Sequence, residues 1–278
     1  MRKMYLLLAG LCIGATVMAQ TDTSVSQEKK SDTIRIGSLI IVKKGDGHYE
    51  NRDGSVNITR TRHRSQNVST NWVIVDLGFA NYSDKTNYTN AIASGVVAPG
   101  IGKEQFNLRN GKSIDVNIWL FMQRLNVIKH VVNLKYGLGI ELNNYRYESA
   151  LWYDKANNIF TEDIIRHYKK NKLAADYITV PLMLNFNFTP KNDYNKSFGF
   201  SAGVSAGYLY SSRQKMITNE DGKQKTHDDF YLRPFKISYV AELQLGPVKL
   251  YGSLATQSMF EKGLDQTPYN IGLRLSNW

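Results

Sequence analysis

A histidine next to carboxylates is the first place in this sequence where catalysis or metal binding could arise. His227 precedes Asp228 and Asp229 in "THDDF", and a histidine beside a carboxylate can serve as a general base. Adjacent side chains on an extended chain point in opposite directions, so these residues form an oriented pair only in a special turn. None of the five histidines is spaced from another histidine, or from a cysteine, as metal ligands are. We therefore expect solvated loop charge, no enzyme activity, no metal and no cofactor.

A second set of charged residues lies within otherwise apolar runs. In "NLKYGLGIEL", residues 133–142, large apolar residues alternate with a set that includes Lys135 and Glu141. Alternation at period two places the two sets on opposite faces of a β-strand. Eight segments with this alternation follow from Asn71 onward. The charges on their polar faces are Asp76, Asp115, Lys135, Glu141, Lys236, Glu242, Lys249 and Arg274.

The lengths of these segments and of their connections indicate what kind of β-protein they form. Several exceed ten residues, whereas a soluble strand has about five or six and a tilted membrane-spanning strand roughly 9 to 11. The connections are alternately short and long, as in a barrel with short periplasmic turns and long external loops. In "FGFSAGVSAGYLY", aromatic residues stand at both ends of the apolar face, as in the girdles that bound a lipid band. We predict an all-β fold, an eight-stranded antiparallel up-and-down transmembrane β-barrel with an N-terminal periplasmic segment.

This fold assigns each alternating face to lipid or to the interior. Leu138 would face lipid near the middle of its strand, and Met122 would face lipid while Phe121 points inward. An eight-stranded barrel is just wide enough for side chains to fill. The inward charges therefore predict a packed ion-pair network rather than a channel lining. Gly139 has inward parity, and we expect Gly139→Ser to be tolerated unless space is short.

The N-terminus, "MRKMYLLLAGLCIGATVMAQ", has the pattern of a secretory signal peptide. Arg2 and Lys3 precede an apolar stretch, and a Val-Met-Ala pattern predicts cleavage between Ala19 and Gln20. Cleavage would remove Cys12, the only cysteine, and with it disulfide and thiol chemistry. We predict a signal peptide over residues 1–19, a periplasmic segment over 20–69 and an outer-membrane barrel over 70–278.

The segment 20–69 begins with a polar stretch and continues with two β-like runs. Residues 33–42 predict one strand, and a turn near 45–47 with a weaker run over 55–61 completes a small hairpin. A ten-stranded barrel that includes both runs is the alternative. It is disfavoured because the face with Val56 and Ile58 continues into two arginines, which are costly in hydrocarbon.

The formal net charge of +11 is spread along the chain. Since an exported protein has little access to nucleic acid, anionic lipid head groups fit better as partners, and a merely solvated basic surface is the alternative. In the second external loop, "FTEDIIRHYKKNK" predicts a short helix capped by Thr161. Its basic residues would contact lipopolysaccharide phosphates or simply suit the helix dipole. They are Arg166, Lys169, Lys170 and Lys172.

Two segments, "NWVIVDLGFANY" and "DYITVPLMLNFNF", resemble the PorT-like outer-membrane β-barrel family of Bacteroidota. Members of that family have a first strand with Trp before a Gly-containing apolar run, matched by Trp72 and Gly78. They also have a central strand in which Tyr is followed, after one or two residues, by Ile or Val and then by Pro-Leu-x-Leu. Tyr177, Val180, Pro181, Leu182 and Leu184 match these positions. The resemblance implies a barrel in the outer membrane. These motifs belong to the framework, so the secretion role of the family's best-known member does not follow from them.

The sequence therefore leads us to expect a non-enzymatic outer-membrane barrel with a structural or interaction role. Its partners would be outer-membrane lipid and an unidentified periplasmic or envelope protein. The alternative is a small channel or a lipid-modifying barrel enzyme, and bilayer conductance and lipid analysis would distinguish these.

Overall fold

A computed structural model of the chain describes residues 33–36, 39–42, 67–163, 165, 168–190 and 197–276. The predicted signal peptide, the cleavage site at Ala19 and Gln20, and Arg166 lie outside these residues. The chain divides into two compact units, Met1–Ser65 and Gln66–Trp278.

In the first unit, β1 (Thr33–Ile36) pairs antiparallel with β2 (Leu39–Val42). The prediction of a single strand over residues 33–42 was therefore wrong. Glycine and serine separate the two strands in the sequence, and glycine at this position is favoured in two-residue hairpin turns.

The described residues of the second unit form eleven further strands, eight of which make a closed ring. The eleven are β3 (Val68–Asp84), β4 (Ile114–Ile128), β5 (Val132–Arg146), β6 (Leu151–Asp154), β7 (Ile159–Glu162), β8 (Tyr168–Asn187), β9 (Phe198–Thr218), β10 (Lys223–His227), β11 (Phe235–Leu245), β12 (Val248–Ala255) and β13 (Gln266–Leu275). The ring runs β3-β4-β5-β8-β9-β11-β12-β13 and closes when β13 pairs with β3, and every pairing is antiparallel. The predicted eight-stranded up-and-down barrel is confirmed.

The connections differ at the two ends of the ring, which we call the turn end and the loop end. At the turn end, β11 and β12 are joined by Gly246 and Pro247 alone, and β4 and β5 by three residues. At the loop end, the connection from β3 to β4 contains helix α1 (Tyr88–Ala93) and two 3-10 turns, Lys103–Phe106 and Asn110–Lys112. The connection from β5 to β8 contains the β6–β7 hairpin, and β10 extends the sheet beside β9 at the same end.

Large apolar side chains cover the outside of the ring. Leu77 is 57% exposed and Ile271 is 61% exposed, although both lie in the middle of paired strands. A soluble protein rarely exposes an apolar surface of this extent, whereas a membrane barrel requires it. Aromatic side chains stand on this face at both ends, with Trp72 at the turn end and Tyr208 and Phe235 at the loop end. The outer face therefore has the organisation of a lipid-facing band.

Leu138 lies midway along the outward face of β5, and we predict that Leu138→Arg destabilises the barrel by about 2–4 kcal/mol. The reason is that a guanidinium at mid-bilayer must shed or distort its hydration. Urea unfolding of the protein refolded into lipid vesicles measures the change. Thr89→Arg, on exposed α1, is the control, and equal effects of the two variants would contradict the lipid-facing assignment.

Two bulges reverse the side-chain alternation near the turn end. The pairing of β3 with β4 passes over Val73 and Leu120, so that Trp72 lies opposite Phe121. An extra residue in a strand sends the following side chains to the other face. Met122 is consequently buried at 1% exposure, and the ring of Phe121 lies 5.9 Å from that of Trp72. The prediction that Met122 faces lipid and Phe121 faces the interior was wrong.

The backbone of Gly139 passes so close to β4 that a side chain has no room. A β-carbon there would lie 2.7 Å from the carbonyl oxygen of Ile118 and 2.9 Å from Cα of Trp119. The expected tolerance of Gly139→Ser depended on space, and space is short. We now predict that Gly139→Ser costs about 1–3 kcal/mol in the same unfolding experiment, because the neighbouring backbone must shift.

The control for this substitution is Gly252→Ala, whose β-carbon would approach only the carbonyl oxygen of Asn270, at 3.6 Å. We expect Gly252→Ala to change stability by less than about 0.5 kcal/mol. Similar costs for the two variants would show that the close approach at Gly139 is relieved without penalty.

Candidate functional site

A network of buried charges occupies the interior of the ring. Glu242 of β11 accepts hydrogen bonds from Lys135 of β5 at 2.5 Å and from Arg274 of β13 at 2.6 Å. Arg274 also donates two hydrogen bonds to Asp76 of β3, both 2.7 Å long. Each of these four residues is at most 5% exposed. Two acids and two bases from four strands therefore compensate one another within one cluster.

Aromatic residues complete the surroundings of this cluster. The indole nitrogen of Trp119 donates to Asp76 at 2.7 Å, and the guanidinium of Arg274 lies 5.2 Å from the centre of the Trp119 ring. The hydroxyl of Tyr251 donates to Asp115, one strand away from Asp76. These contacts hold the carboxylates in fixed positions, as buried charges require.

A second group of polar residues lies nearer the loop end. Lys236 of β11 forms an ion pair with Glu141 of β5. Glu141 also accepts from the side-chain amides of Asn143 at 3.0 Å and Asn270 at 3.2 Å. The ammonium of Lys236 lies 4.3 Å from the centre of the Tyr177 ring. This pair therefore joins opposite walls of the ring.

The structure places all eight sequence-predicted interior charges on the inner face. Six of them meet in ion pairs, namely Asp76, Lys135, Glu141, Lys236, Glu242 and Arg274. Asp115 is held by the hydroxyl of Tyr251, and the ammonium of Lys249 donates to the hydroxyl of Ser276 at 2.5 Å. The alternation of side chains along each strand predicts which charges point inward. The register between strands determines which of these charges form pairs.

Little empty volume remains in the middle of the ring, whereas a cavity of about 290 Å³ lies nearer the loop end, beside Lys236 and Tyr177. A cavity of about 30 Å³ is bounded by residues that include Trp119, Glu141 and Arg274. A cavity of this size has room for only a few water molecules, since each needs about 10–15 Å³. The middle of the ring is thus filled by side chains, as expected for eight strands.

An apolar core of loop residues closes the loop end, and we call the connections 85–113, 147–167, 219–234 and 256–265 the cap. Phe160 of β7 is 1% exposed, and its ring lies 5.7 Å from Phe106, 5.1 Å from Tyr153 and 5.9 Å from Phe260. The backbone of Phe160 also accepts a hydrogen bond from Ala98 at 2.8 Å. Residues of all four connections therefore pack into one cluster, which continues onto the inner face of the barrel mouth.

The cap is held against the barrel wall by buried hydrogen bonds. The side chain of Gln214 on β9 accepts from the backbone nitrogen of Tyr153 at 2.8 Å and donates to the carbonyl oxygen of Leu151 at 2.9 Å. The amide of Asn171 on β8 donates to the same carbonyl. The β6–β7 hairpin is thus held over the ring rather than projecting into solvent.

The residues of "THDDF" lie in the cap, at the end of β10. His227 is exposed, and Asp228 forms an ion pair of 3.2 Å with Lys155 from the β6–β7 turn. The carboxylate of Asp229 accepts from the backbone nitrogen of Tyr231 at 3.2 Å. Both carboxylates therefore serve contacts between or within loops.

The predicted helix over residues 160–172 was wrong where the structure describes this segment. Thr161 lies in β7, whereas Lys169, Lys170 and Lys172 lie in β8. Beyond the lipid-facing band β8 continues to pair with β5 and β9, with Lys172 opposite Arg146 on one side and Lys215 on the other. This long-range pairing outweighs the local helix signals.

The closed ring, the apolar outer face and the filled polar interior define a transmembrane β-barrel. Residues 65–265 match the model of the family described as outer membrane protein beta-barrel domain. Because this match covers more than half of the chain, the chain belongs to that family. In a comparison with curated proteins, none matched.

Within the described residues, no helix has the length and apolar character to cross a membrane. The same residues contain no group of three or more His, Cys, Asp or Glu side chains arranged to hold a metal ion.

Proposed function

We propose that this protein is a non-enzymatic anchor of the outer membrane that presents its cap as a binding surface for another envelope protein. The observation that supports this function best is the combination of a filled interior with a closed loop end. Six interior charges pair across the ring, and an aromatic core lies above them. A barrel of this kind offers a rigid platform but little room for a solute path.

Single-channel recording in planar bilayers tests the absence of transport. We expect the purified barrel to give no discrete conductance steps under conditions in which a diffusion porin does. Mass spectrometry of lipids incubated with the protein tests the enzymatic alternative, and we expect no altered lipid. Reproducible conductance steps or a new lipid product would overturn the proposed function.

The proposed partner is a periplasmic or envelope protein, and the cap and the N-terminal segment are the two surfaces that could bind it. A photo-crosslinking residue at Asn157 reports on the cap, since this residue is exposed in the β6–β7 turn. A second crosslinker in the segment 20–69 reports on the other surface. Thr189 in the short connection after β8 serves as a control position. Capture of the same protein from all three positions would count against a specific binding surface.

The finer assignment to the PorT-like barrels of Bacteroidota is also part of this proposal. Its support comes from Trp72, Gly78 and the stretch from Tyr177 to Leu184, which match that family's framework. A secretion-associated partner would agree with it. The framework match does not itself imply a role in secretion. Loss of a secreted protein from the medium after deletion of the gene, restored by the intact gene, would support a secretion-associated partner.

We further propose that residues 1–19 are removed on export and that residues 20–69 remain in the periplasm. Deletion of residues 21–65 should leave a barrel whose electrophoretic mobility still changes on heating. A cysteine at Gly54 should be shielded from an impermeant maleimide in intact cells, whereas a cysteine at Asn157 in the cap should react. Strong labelling at Gly54, or loss of the barrel on deletion, would argue against this placement.

A further inference from the structure

Four basic residues stand side by side on four adjacent strands. Arg146 of β5 is opposite Lys172 of β8, Lys172 is opposite Lys215 of β9, and Lys215 is opposite Lys225 of β10. Directly opposed residues in antiparallel strands point to the same face. Neighbouring strands are about 4.8 Å apart, so the four positions span roughly 15 Å. We call Arg146, Lys172, Lys215 and Lys225 the basic row.

The basic row lies on the outer face of the sheet. On β9, the neighbours of Lys215 in the sequence, Gln214 and Met216, point to the other face and are buried, at 1% and 4% exposure. Gln214 is hydrogen-bonded to the β6–β7 hairpin of the cap, so this other face is the inner one. On β10, Lys225 is exposed. Further cations flank the row on the same face, with Lys223 and Lys170 both opposite Ile217.

Few anionic groups of the protein compensate this charge. Asp176 lies close to Lys172, and its carboxylate is engaged by Arg213. Arg146 donates to the backbone oxygen of Lys169 at 2.9 Å, and Lys172 donates to the side-chain oxygen of Asn144. Within the part of the chain that the structure describes, no carboxylate forms an ion pair with any member of the basic row. The row therefore presents net positive charge to its surroundings.

The close approach of these cations has an electrostatic cost. Burial, together with the charges of Lys170, Arg213 and Lys215, lowers the pKa of Lys172 to about 8. The pKa of Lys215 is lowered by desolvation and by its basic neighbours, of which Lys223 has the largest effect. Like charges directly opposite in a sheet are destabilising. A bound anion would relieve this repulsion.

The position of the row relative to the lipid band identifies the source of such an anion. Tyr208 and Tyr210 of β9 are exposed on the outer face, and aromatic residues of this kind mark the head-group level. Lys215 lies five residues beyond Tyr210, which is roughly 16 Å along the strand and less in height because barrel strands are tilted. The row thus continues the lipid-facing surface just above the band.

We propose that the basic row binds the phosphate groups of a phosphorylated glycolipid of the lipid A class, in the leaflet at the loop end. The inference rests on the proposed placement of the barrel in the outer membrane with the loop end outside. Arginine and lysine are the side chains that bind phosphate in proteins, through charge-assisted hydrogen bonds. Of the contact residues predicted from the sequence, Lys172 belongs to the basic row and Lys170 flanks it. The other members of the row, Arg146, Lys215 and Lys225, are new contact residues.

The test compares two triple variants that remove the same amount of charge. The row variant carries Lys172→Gln, Lys215→Gln and Lys225→Gln. The control variant carries Lys85→Gln, Lys103→Gln and Lys112→Gln, all at exposed positions in the connection from β3 to β4. Binding of purified lipopolysaccharide to each barrel in nanodiscs is measured by titration. We expect at least about tenfold weaker binding for the row variant, and a change below about twofold for the control.

Two further ligands separate the sources of phosphate. Dephosphorylated lipopolysaccharide should bind the unaltered protein as weakly as intact lipopolysaccharide binds the row variant. Soluble pyrophosphate should compete only at far higher concentration than the glycolipid. Equal binding of the two lipopolysaccharide forms, equal loss in both triple variants, or tight binding of free pyrophosphate would each overturn the proposal.

Heat-modifiable mobility of each variant verifies that the barrel is folded before binding is compared. If the row variant fails this check, Lys225→Gln alone replaces it, because β10 lies beside the ring rather than in it. We expect an intermediate loss of binding for this single change, and unchanged binding would contradict the proposal. Conductance is recorded in a separate experiment. A failed lipid-binding test therefore does not contradict the proposed anchor function, and conductance steps would not contradict lipid binding by the basic row.

Discussion

Glu242→Leu should lower the free energy of unfolding of the barrel by about 3–5 kcal/mol, the largest loss that we expect from one interior substitution. Glu242 contacts both bases of the central cluster, Lys135 and Arg274. Its removal takes away the carboxylate that pairs with the buried ammonium of Lys135 at 2.5 Å. Urea titration of the refolded barrel, followed by tryptophan fluorescence and by gel mobility, measures the change.

The double variant Lys135→Met with Glu242→Leu is the matched control. It removes one charge of each sign, and well-packed apolar residues can replace a buried ion pair at little cost. We expect the double variant to recover more than half of the stability lost in Glu242→Leu. If the single variant unfolds within about 1 kcal/mol of the unaltered barrel, the cluster is not a stabilising unit.

Phe160→Ala should loosen the cap while leaving the barrel intact. The side chain of Phe160 contacts three other buried rings, and truncation of a buried phenylalanine costs about 3–5 kcal/mol. The cost falls on the loops, since the ring of strands has its own hydrogen bonds and ion pairs. We expect limited proteolysis to cleave within residues 85–113 and 147–167 much faster than in the unaltered protein, with heat-modifiable mobility preserved.

Ile165→Ala is the control for this prediction, because Ile165 lies in the same connection and is 84% exposed. It should leave the proteolysis rate unchanged. Equal rates for Phe160→Ala and Ile165→Ala would mean that the aromatic core does not hold the cap together. If the cap is the binding surface, Phe160→Ala should also reduce crosslinking from Asn157.

The sequence predicts most of the barrel wall because lipid and a narrow interior impose a strict alternation on every strand. Lys135 and Glu141 share one face of β5 and could be assigned to the interior for this reason alone. This alternation does not predict which of the inward charges form ion pairs. Arg274 lies directly opposite Asp76 only because of the register between β13 and β3.

The features that the sequence did not predict depend on pairing between distant segments. The bulges at Val73 and Leu120 add one residue to each strand and leave no trace in composition, so Met122 was assigned to the wrong face. The helix signals of residues 160–172 are local, whereas β8, which begins at Tyr168, is held by partners more than twenty residues away. The basic row is likewise not apparent from the sequence alone, because its members come from four strands.

The seam between β13 and β3 has a consequence for the order in which the barrel assembles. These two strands pair from Gln266 opposite Asp84 to Leu275 opposite Val75, and the ion pair between Arg274 and Asp76 joins residues 198 positions apart. Contacts this distant in sequence carry the largest loop-closure entropy and form slowly. Until they form, β3 and β13 are open edges whose unpaired backbone groups hydrocarbon does not tolerate. Closure is therefore a late step that requires the last strand of the ring, and full insertion into the bilayer must wait for it.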